Sequence, residues 1–223
     1  MNKLKYIAAV VIGIAGLGLQ QAKADVCSFN LTTGNTGLNG FSGPFVNVTI
    51  NQVGNTATIT FTSLTKNGNI YLMGDGSSIA LNVNAASFSV GTITGTNAGS
   101  GFTPGGFTAN FGSNQNVDNQ GHFNFTIDSF DGFTHSSDSI TFTLTNLSGT
   151  WNSCHDVLTA NDLLNLAAAH IFVTLFPANA ANGARATGFA GGNGQVVPDG
   201  GATVMLLGAG LGALGMVRRF LKT

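Results

Sequence analysis

The chain has 223 residues, of which 8% are charged, 32 are Gly and none is Glu. About a quarter of the residues in an ordinary soluble protein are charged, so this composition is typical of a turn-rich extracellular β protein. Between residues 25 and 187 only Lys66 and Arg185 are basic, whereas eight of the nine acidic residues lie there. Because phosphate backbones are bound through Lys and Arg, this excess of acidic residues excludes nucleic acid as a partner.

Residues 1–24 have the three parts of a secretory signal peptide. A positively charged start is followed by an uncharged apolar run over residues 7–19 and by the small-residue pattern Ala22-Lys23-Ala24, which signal peptidase reads. The apolar run is too short for a comfortable membrane span. The sequence therefore predicts export, with cleavage by signal peptidase directly before Asp25.

Most of the predicted domain, residues 25–187, alternates between apolar and polar residues with a period of two. This pattern predicts half-buried β-strands, with one face on the core and the other in solvent. Turns rich in Gly, Asn and Asp separate the segments, which favours antiparallel hairpins, while residues 95–106 are expected to form a long mobile loop. The alternating segments are 46–50, 56–64, 79–83, 88–93, 122–127 and 139–147.

So many short strands predict an all-β fold, an antiparallel β-sandwich with a jelly-roll-like arrangement. One short helix is expected within residues 159–169, because Thr159-Ala160-Asn161-Asp162 is similar to a capping box and Leu and Ala residues follow it. A final strand is expected over residues 170–176. The Gly-rich segment 188–196 is expected to be a flexible linker.

Cys27 and Cys154 are the two cysteines of the chain. In an exported protein an even pair indicates a disulfide, which would tie the start of the mature chain to the region after the last long strand. In the chain-entropy model, closing so long a loop stabilises the fold by up to about 4–5 kcal/mol, less any strain. Two separate buried thiols are the alternative, and the exporting compartment favours the disulfide.

The C-terminal residues consist of a short motif, an apolar run and a basic end. Val197-Pro198-Asp199-Gly200-Gly201 precedes an uncharged run of Gly, Ala and Leu over residues 202–217, and Arg218, Arg219 and Lys222 follow. The run predicts a short transmembrane helix, and the cations predict that its end stays in the cytoplasm. The precursor is therefore expected to hang outside the inner membrane by its tail. A buried core helix, the alternative, fits the terminal basic cluster poorly.

This order of motif, apolar helix and Arg-rich end resembles the PEP-CTERM sorting signal. The commonest form of that signal begins Pro-Glu-Pro, and residues 197–201 look like its Val-Pro-Asp variants. The resemblance covers residues 197–223. It implies an exosortase, a membrane-embedded enzyme similar to cysteine transpeptidases, that recognises Pro198 to Gly201 and cuts near there. It also implies release or transfer of the main part of the chain to the surface of a Gram-negative bacterium that makes exopolysaccharide and biofilm.

No catalytic residues are predicted. The His and Ser residues form no Gly-x-Ser-x-Gly elbow, and a His-Glu-x-x-His motif is impossible without Glu. Asp128, Asp131, His135 and Asp138 are the densest group of potential ligands. The three carboxylates offer oxygen ligands for Ca²⁺, although their spacing is not that of an EF-hand loop. The alternative, which is favoured, places these Asp residues in turns and at strand edges.

The favoured interpretation is an exported surface or matrix protein without enzymatic activity, sorted by an exosortase and associated with exopolysaccharide or biofilm. A carbohydrate-binding module, with or without calcium, is the alternative, although one Trp and two Tyr are few for a sugar-binding platform. A secreted hydrolase is a third interpretation. The sequence predicts no cofactor, with Ca²⁺ as the alternative. The expected partners are signal peptidase, an exosortase-like enzyme, the inner membrane through the C-terminal helix, and exopolysaccharide.

Overall fold

The structure of the protein is a computed structural model, and it describes residues 24–97, 99–129 and 132–194. In these residues the chain forms fourteen β-strands and four short 3₁₀ turns. The strands are β1 (Asp25–Leu31), β2 (Thr33–Gly34), β3 (Val46–Val53), β4 (Thr56–Ser63), β5 (Thr65–Lys66), β6 (Asn69–Met73), β7 (Ile79–Leu81), β8 (Phe88–Val90), β9 (Thr94–Thr96), β10 (Thr108–Val117), β11 (Gly121–Asp128), β12 (Ser139–Asn146), β13 (Ala167–Leu175) and β14 (Ala186–Gly192). The 3₁₀ turns are Thr36–Leu38, Phe133–His135, Cys154–Asp156 and Ala180–Asn182.

The strands pair in two antiparallel sheets, which confirms the prediction of an all-β, antiparallel fold. Sheet 1 has the order β1-β3-β4-β12, and β8 and β9 both pair with the far edge of β12. Sheet 2 has the order β10-β11-β7-β13-β14-β2; in addition, β6 pairs with β13, and β5 pairs with β6. The predicted turn at residues 52–55 joins β3 to β4, which pair along their whole length.

The alternating sequence accounts for sheet 1 and for the core beneath it. Val48 of β3 lies opposite Phe61 of β4, and Ile59 of β4 lies opposite Phe142 of β12. These side chains are buried, and the polar residues between them point to the other face of the sheet. Phe142 packs on Phe125 of β11, with ring centroids 5.9 Å apart. Residues of both sheets belong to one hydrophobic cluster, so the two sheets share a core.

Parts of sheet 2 are buried on both faces. On the face away from the shared core, Ile70, Leu72 and Phe172 form a separate cluster with Phe102, which comes from the loop before β10. A third cluster surrounds Phe123 of β11. Strands covered on both faces do not alternate, and this explains why β6 and β13 are nearly continuous apolar runs in the sequence.

The predicted short helix within residues 159–169 is wrong. Asn161, in the segment similar to a capping box, accepts hydrogen bonds through its Oδ1 atom from the N–H groups of Leu163 and Asn165, both at 2.9 Å. Such bonds from the backbone to a side chain close a turn and compete with a helix. Residues 167–169 begin β13 and pair with both β7 and β14. Their Ala side chains are fully buried there, so tertiary packing outweighs helix propensity.

Residues 188–192, the first part of the predicted flexible linker 188–196, belong to a strand instead. Residues 186–192 form β14, an interior strand of sheet 2 between β13 and β2. A Cβ atom at Gly192 would lie 2.6 Å from the carbonyl oxygen of Asn30. A strand glycine at such a site permits the close approach of another backbone. The predicted domain end at residue 187 therefore falls inside β14.

Several predicted features lie outside the described residues. They are residues 1–23 of the signal peptide, the sorting motif 197–201, the transmembrane helix 202–217, the basic residues Arg218, Arg219 and Lys222, and Asp131. In the part of the chain that the structure does describe, no helix combines the length and the hydropathy needed to cross a membrane.

Candidate functional site where the chain enters and leaves the domain

The predicted cleavage by signal peptidase falls at an accessible position. Ala24 is exposed and precedes the first strand, and Asp25 begins β1 opposite Gln52 of β3. Exposed chain next to a strand terminus is the kind of segment that a peptidase can reach. Cleavage before Asp25 would leave a mature chain whose first residue already belongs to sheet 1.

Cys27 of β1 and Cys154 of the Cys154–Asp156 turn form the predicted disulfide, which confirms the pairing over two separate thiols. Their Cα atoms are 5.9 Å apart, within the usual range, and both residues are buried. The bond closes a sequence separation of 127 residues. Beside it, the Cys154 backbone N–H donates to Asp25 Oδ2 at 2.8 Å. The first strand is therefore joined twice to the turn that carries Cys154.

Trp151 fixes the position of the loop before that turn. Its indole N–H donates to the carbonyl oxygen of Asn84 at 2.8 Å, and its own carbonyl oxygen accepts from Gln52 Nε2 at 2.8 Å. Asn84 Nδ2 donates in turn to the carbonyl oxygen of Asp156 at 2.9 Å. Trp151 is only 4% exposed, and a buried polar group that lost its partner there would destabilise the fold. These bonds hold the cysteine-bearing loop in one place.

The chain leaves the domain beside the disulfide. At the end of β14, the Gly192 carbonyl oxygen accepts from the Leu166 N–H at 2.9 Å. Gly194, the last described residue, lines a cavity of about 210 Å³ together with Cys27 and Cys154. The start of the predicted mature chain, the disulfide and the exit of the chain therefore lie at one end of the domain.

The predicted sorting motif begins three residues after Gly194. An extended chain spans at most about 3.3–3.6 Å per residue, so three residues reach at most about 11 Å. An enzyme that cuts within residues 197–201 therefore works close to the folded domain. The longer linker predicted from the sequence would have allowed a greater separation.

The Asp residues considered for calcium have partners within the fold. Asp128 accepts from the Ser77 backbone N–H at 2.7 Å through Oδ1 and from Asn110 Nδ2 at 2.8 Å through Oδ2. Asp138 Oδ1 accepts from Thr96 Oγ1 at 2.8 Å. These bonds join β11 to β10 and to the turn before β7, and they join the residue before β12 to β9. Because Asp131 lies outside the described residues, the calcium site stays a prediction.

One group of three side chains brings possible metal ligands together among the described residues. It consists of Cys27, Cys154 and His155, whose ligand atoms lie within 4.8 Å of one another. The two sulfur atoms form the disulfide, and only a thiolate is a good metal ligand. The group therefore offers the imidazole of His155 alone while the disulfide is intact.

Two further histidines make contacts that shift a pKa. Asp162 accepts from the backbone N–H and from the ring Nδ1 of His122, both at 2.8 Å, and these bonds hold the pKa of Asp162 below its usual value. His170 stacks on Phe189, with centroids 4.2 Å apart, and its Nδ1 donates to the Gly76 carbonyl oxygen at 3.1 Å. Burial lowers the pKa of His170, because it disfavours the charged imidazolium.

An open cleft of about 580 Å³ lies at the edge of sheet 1, next to β8 and β9, and was not anticipated from the sequence. Its walls include Val90, Ile93, Thr94 and Phe107, and none of its lining residues is charged. Residues 104–106 complete it, although their Pro-Gly-Gly sequence indicated only a loop. A cleft assembled from sheet edges depends on strand order, which local sequence does not specify.

Comparison with known protein families identifies a motif at the C-terminal end of the chain. A family model described as the VPDSG-CTERM motif matches residues 196–220, directly after the described domain. The chain has Gly200 where the motif's name has Ser. No curated protein and no solved structure matches the chain.

Proposed function

We propose that this is a non-enzymatic surface or matrix protein. The proposal starts from the VPDSG-CTERM motif at residues 196–220, which is an exosortase sorting signal of the PEP-CTERM type. The signal implies that the protein is exported and that an exosortase-type enzyme processes its membrane-anchored precursor. The finer proposal is that the mature β domain joins the exopolysaccharide or biofilm layer. Signal peptidase, the inner membrane and exopolysaccharide are the other proposed partners.

The observation that carries the proposal is the position of the matched motif relative to the domain. The match begins two residues after Gly194, which lies beside the Cys27–Cys154 disulfide. Disulfides form and persist outside the reducing cytosol, so a disulfide at this end supports an exported domain. A tail that leaves the domain at the same end as the disulfide would place its cleavage site between the membrane and the folded domain.

The non-enzymatic part of the proposal is supported by the way polar side chains are used. Asp128 and Asp138 accept hydrogen bonds from neighbouring segments, and the His122–Asp162 pair joins β11 to the loop before β13. Both members of that pair are about half exposed, and exposed pairs of this kind stabilise folds only slightly. These groups are accounted for by the fold itself.

The test is substitution of the motif in the producing cells. We expect Pro198→Ala together with Asp199→Ala to leave the protein uncut, because the enzyme no longer recognises residues 197–201. Intact mass and fractionation of cells would show a full-length tail in the inner membrane fraction. The native protein would lose the tail and appear at the surface or in the medium.

A matched double variant, Pro104→Ala with Asp156→Ala, changes the same residue types within the domain and should be processed like the native protein. Processing of the Pro198→Ala, Asp199→Ala variant at the native rate would overturn the sorting proposal. Release of the native protein with its C-terminal residues still attached would overturn it as well.

A further inference from the structure

The outer face of sheet 1 carries small polar side chains in register across the whole sheet. Ser28, Thr49, Thr60, Thr141 and Thr94 lie opposite one another on β1, β3, β4, β12 and β9. We call these five residues the central rank. Adjacent strands lie about 4.7–4.9 Å apart, so the rank presents a hydroxyl group at about that interval.

A second rank of the same kind runs parallel to the central rank. It lies two residues further along each strand, at a distance of about 6.8 Å. Its members are Asn30, Asn47, Thr62, Ser139 and Thr96. These two ranks therefore form a regular grid of hydroxyl and amide groups, whereas Val26 and Val53, further along the same face, are exposed apolar residues.

The hydroxyl groups of the grid are ordered by their neighbours. Thr60 Oγ1 and Thr141 Oγ1 are hydrogen-bonded at 3.1 Å, and Thr49 Oγ1 donates to Asn47 Oδ1 at 3.1 Å. A hydroxyl has one donor and two acceptor positions, so each of these groups retains capacity for a further bond. The grid can therefore bind a ligand that offers donors and acceptors of its own.

The grid is uncharged although the domain is acidic. Asp138, which precedes Ser139, accepts a hydrogen bond from Thr96 at one corner of the grid. Lys66 and Arg185 lie elsewhere and donate to Gly43 and Asn69. Among the described residues, the two ranks contain no charged side chain and no aromatic ring. A protein partner usually requires an apolar core with aromatic residues, and an acidic polymer requires cations.

We propose that the outer face of sheet 1 binds neutral polysaccharide, with the sugar hydroxyls bonding to the central rank. The proposal rests on the proposed function, because it identifies the surface through which the exported domain joins an exopolysaccharide layer. The strand interval is comparable with the length of one pyranose ring in a β-linked chain. Thr94 also lines the uncharged cleft, where Phe107 offers the apolar contact that the grid lacks. Single hydroxyl bonds are weak in water, so binding depends on many of them acting together.

The experiment uses the protein recovered from producing cells and insoluble cellulose as the neutral probe, with alginate as the acidic one. Replacing Thr49, Thr60 and Thr141 by Val keeps the shape and the strand propensity but removes three hydroxyl groups. We expect this variant to bind cellulose roughly tenfold more weakly. A matching Thr→Ser variant at the same three positions keeps the hydroxyls and should bind like the native protein.

Thr33→Val, Thr65→Val and Thr108→Val together form the matched control, because these exposed residues lie on strands of sheet 2; this variant should bind normally. Equal retention of the Thr49, Thr60, Thr141 variant and the native protein would overturn the proposal. Stronger retention on alginate than on cellulose would do so too. If sedimentation shows a dimer of the native protein that only the Thr49, Thr60, Thr141 variant loses, the face binds a second copy of this chain instead. Tail processing is measured separately by mass, so a failure here is distinguishable from a failure of the sorting proposal.

Discussion

His170 stands on β13 with its ring stacked on Phe189 and its Nδ1 atom bonded to the Gly76 carbonyl oxygen. In the fold, His170 is a packing residue whose burial lowers its pKa, partly opposed by the nearby charge of Asp75. Its protonation is therefore coupled to unfolding.

We expect acid to destabilise the protein through His170. The unfolded chain has an ordinary histidine pKa of about 6.5 and the folded chain a lower one, so the unfolded state binds the proton first as pH falls. The stabilisation by neutral His170 is complete above about pH 6.5 and is lost as pH falls toward the folded pKa. His170→Phe keeps a stacked ring. When the pH is lowered from about 7.5 to about 5, its melting temperature should fall less than that of the native protein.

His155→Phe is the control for His170, since His155 is exposed; its melting temperature should follow the native pH dependence. Parallel curves for His170→Phe and the native protein would contradict the role of His170. Melting is followed by circular dichroism at each pH.

The Gly-rich sequence of β14 predicted a flexible linker, but these residues form a strand. A Gly-rich stretch indicates flexibility when it is solvated, but here it runs between β13 and β2 and approaches β1. A Cβ atom at Gly192 would meet the backbone of Asn30, and one at Gly191 would meet the side chains of Gln120 and Asn165. The same principle reverses the helix prediction, because the Ala residues at 167–169 pack closely between β7 and β14.

We expect Gly192→Ala to destabilise the domain by about 1–3 kcal/mol, because the new methyl group would lie 2.6 Å from the Asn30 carbonyl oxygen and force the strands apart. A flexible linker would tolerate the same change. Gly149→Ala is the matched control, since a Cβ atom there meets nothing within 4 Å. Urea unfolding of both variants measures the difference, and equal stability of the two would show that β14 is not packed as described.

In the folded domain, the start of the predicted mature chain and the point where the chain leaves the domain both lie at the end that carries the disulfide. The bond closes a sequence separation of 127 residues, so it restricts more than half of the unfolded chain of 223 residues. It also joins the first strand to the loop held by Trp151, next to Gly194. Tension applied through the tail would therefore reach a cross-linked part of the fold.

Removing the disulfide should lower stability without changing the sheets. We expect Cys27→Ala with Cys154→Ala to reduce the free energy of unfolding by up to about 4–5 kcal/mol, since the unfolded chain gains freedom. Denaturant unfolding under oxidising conditions measures the loss. Reductant should destabilise the native protein to a similar extent and leave the double variant unchanged. A variant as stable as the oxidised native protein would contradict the assignment.

Local alternation predicted several strands closely. The segments 56–64 and 139–147 correspond to β4 and β12, because each has one face on the core and one in solvent. β10 was missed because its register shifts between Phe111 and Gln115, and a bulge breaks the period of two. β6 was missed because it is buried on both faces. The jelly-roll-like arrangement stays a prediction.

The sequence by itself determined the sorting signal and the all-β class, since both are written in short stretches of neighbouring residues. The disulfide needed only the two cysteines and the compartment. Tertiary structure alone decided that β14 is a strand, that Gly194 lies beside the disulfide, and that the Thr residues of sheet 1 line up in ranks. These features depend on which distant strands pair and in what register, and long-range pairing is not encoded in any one segment.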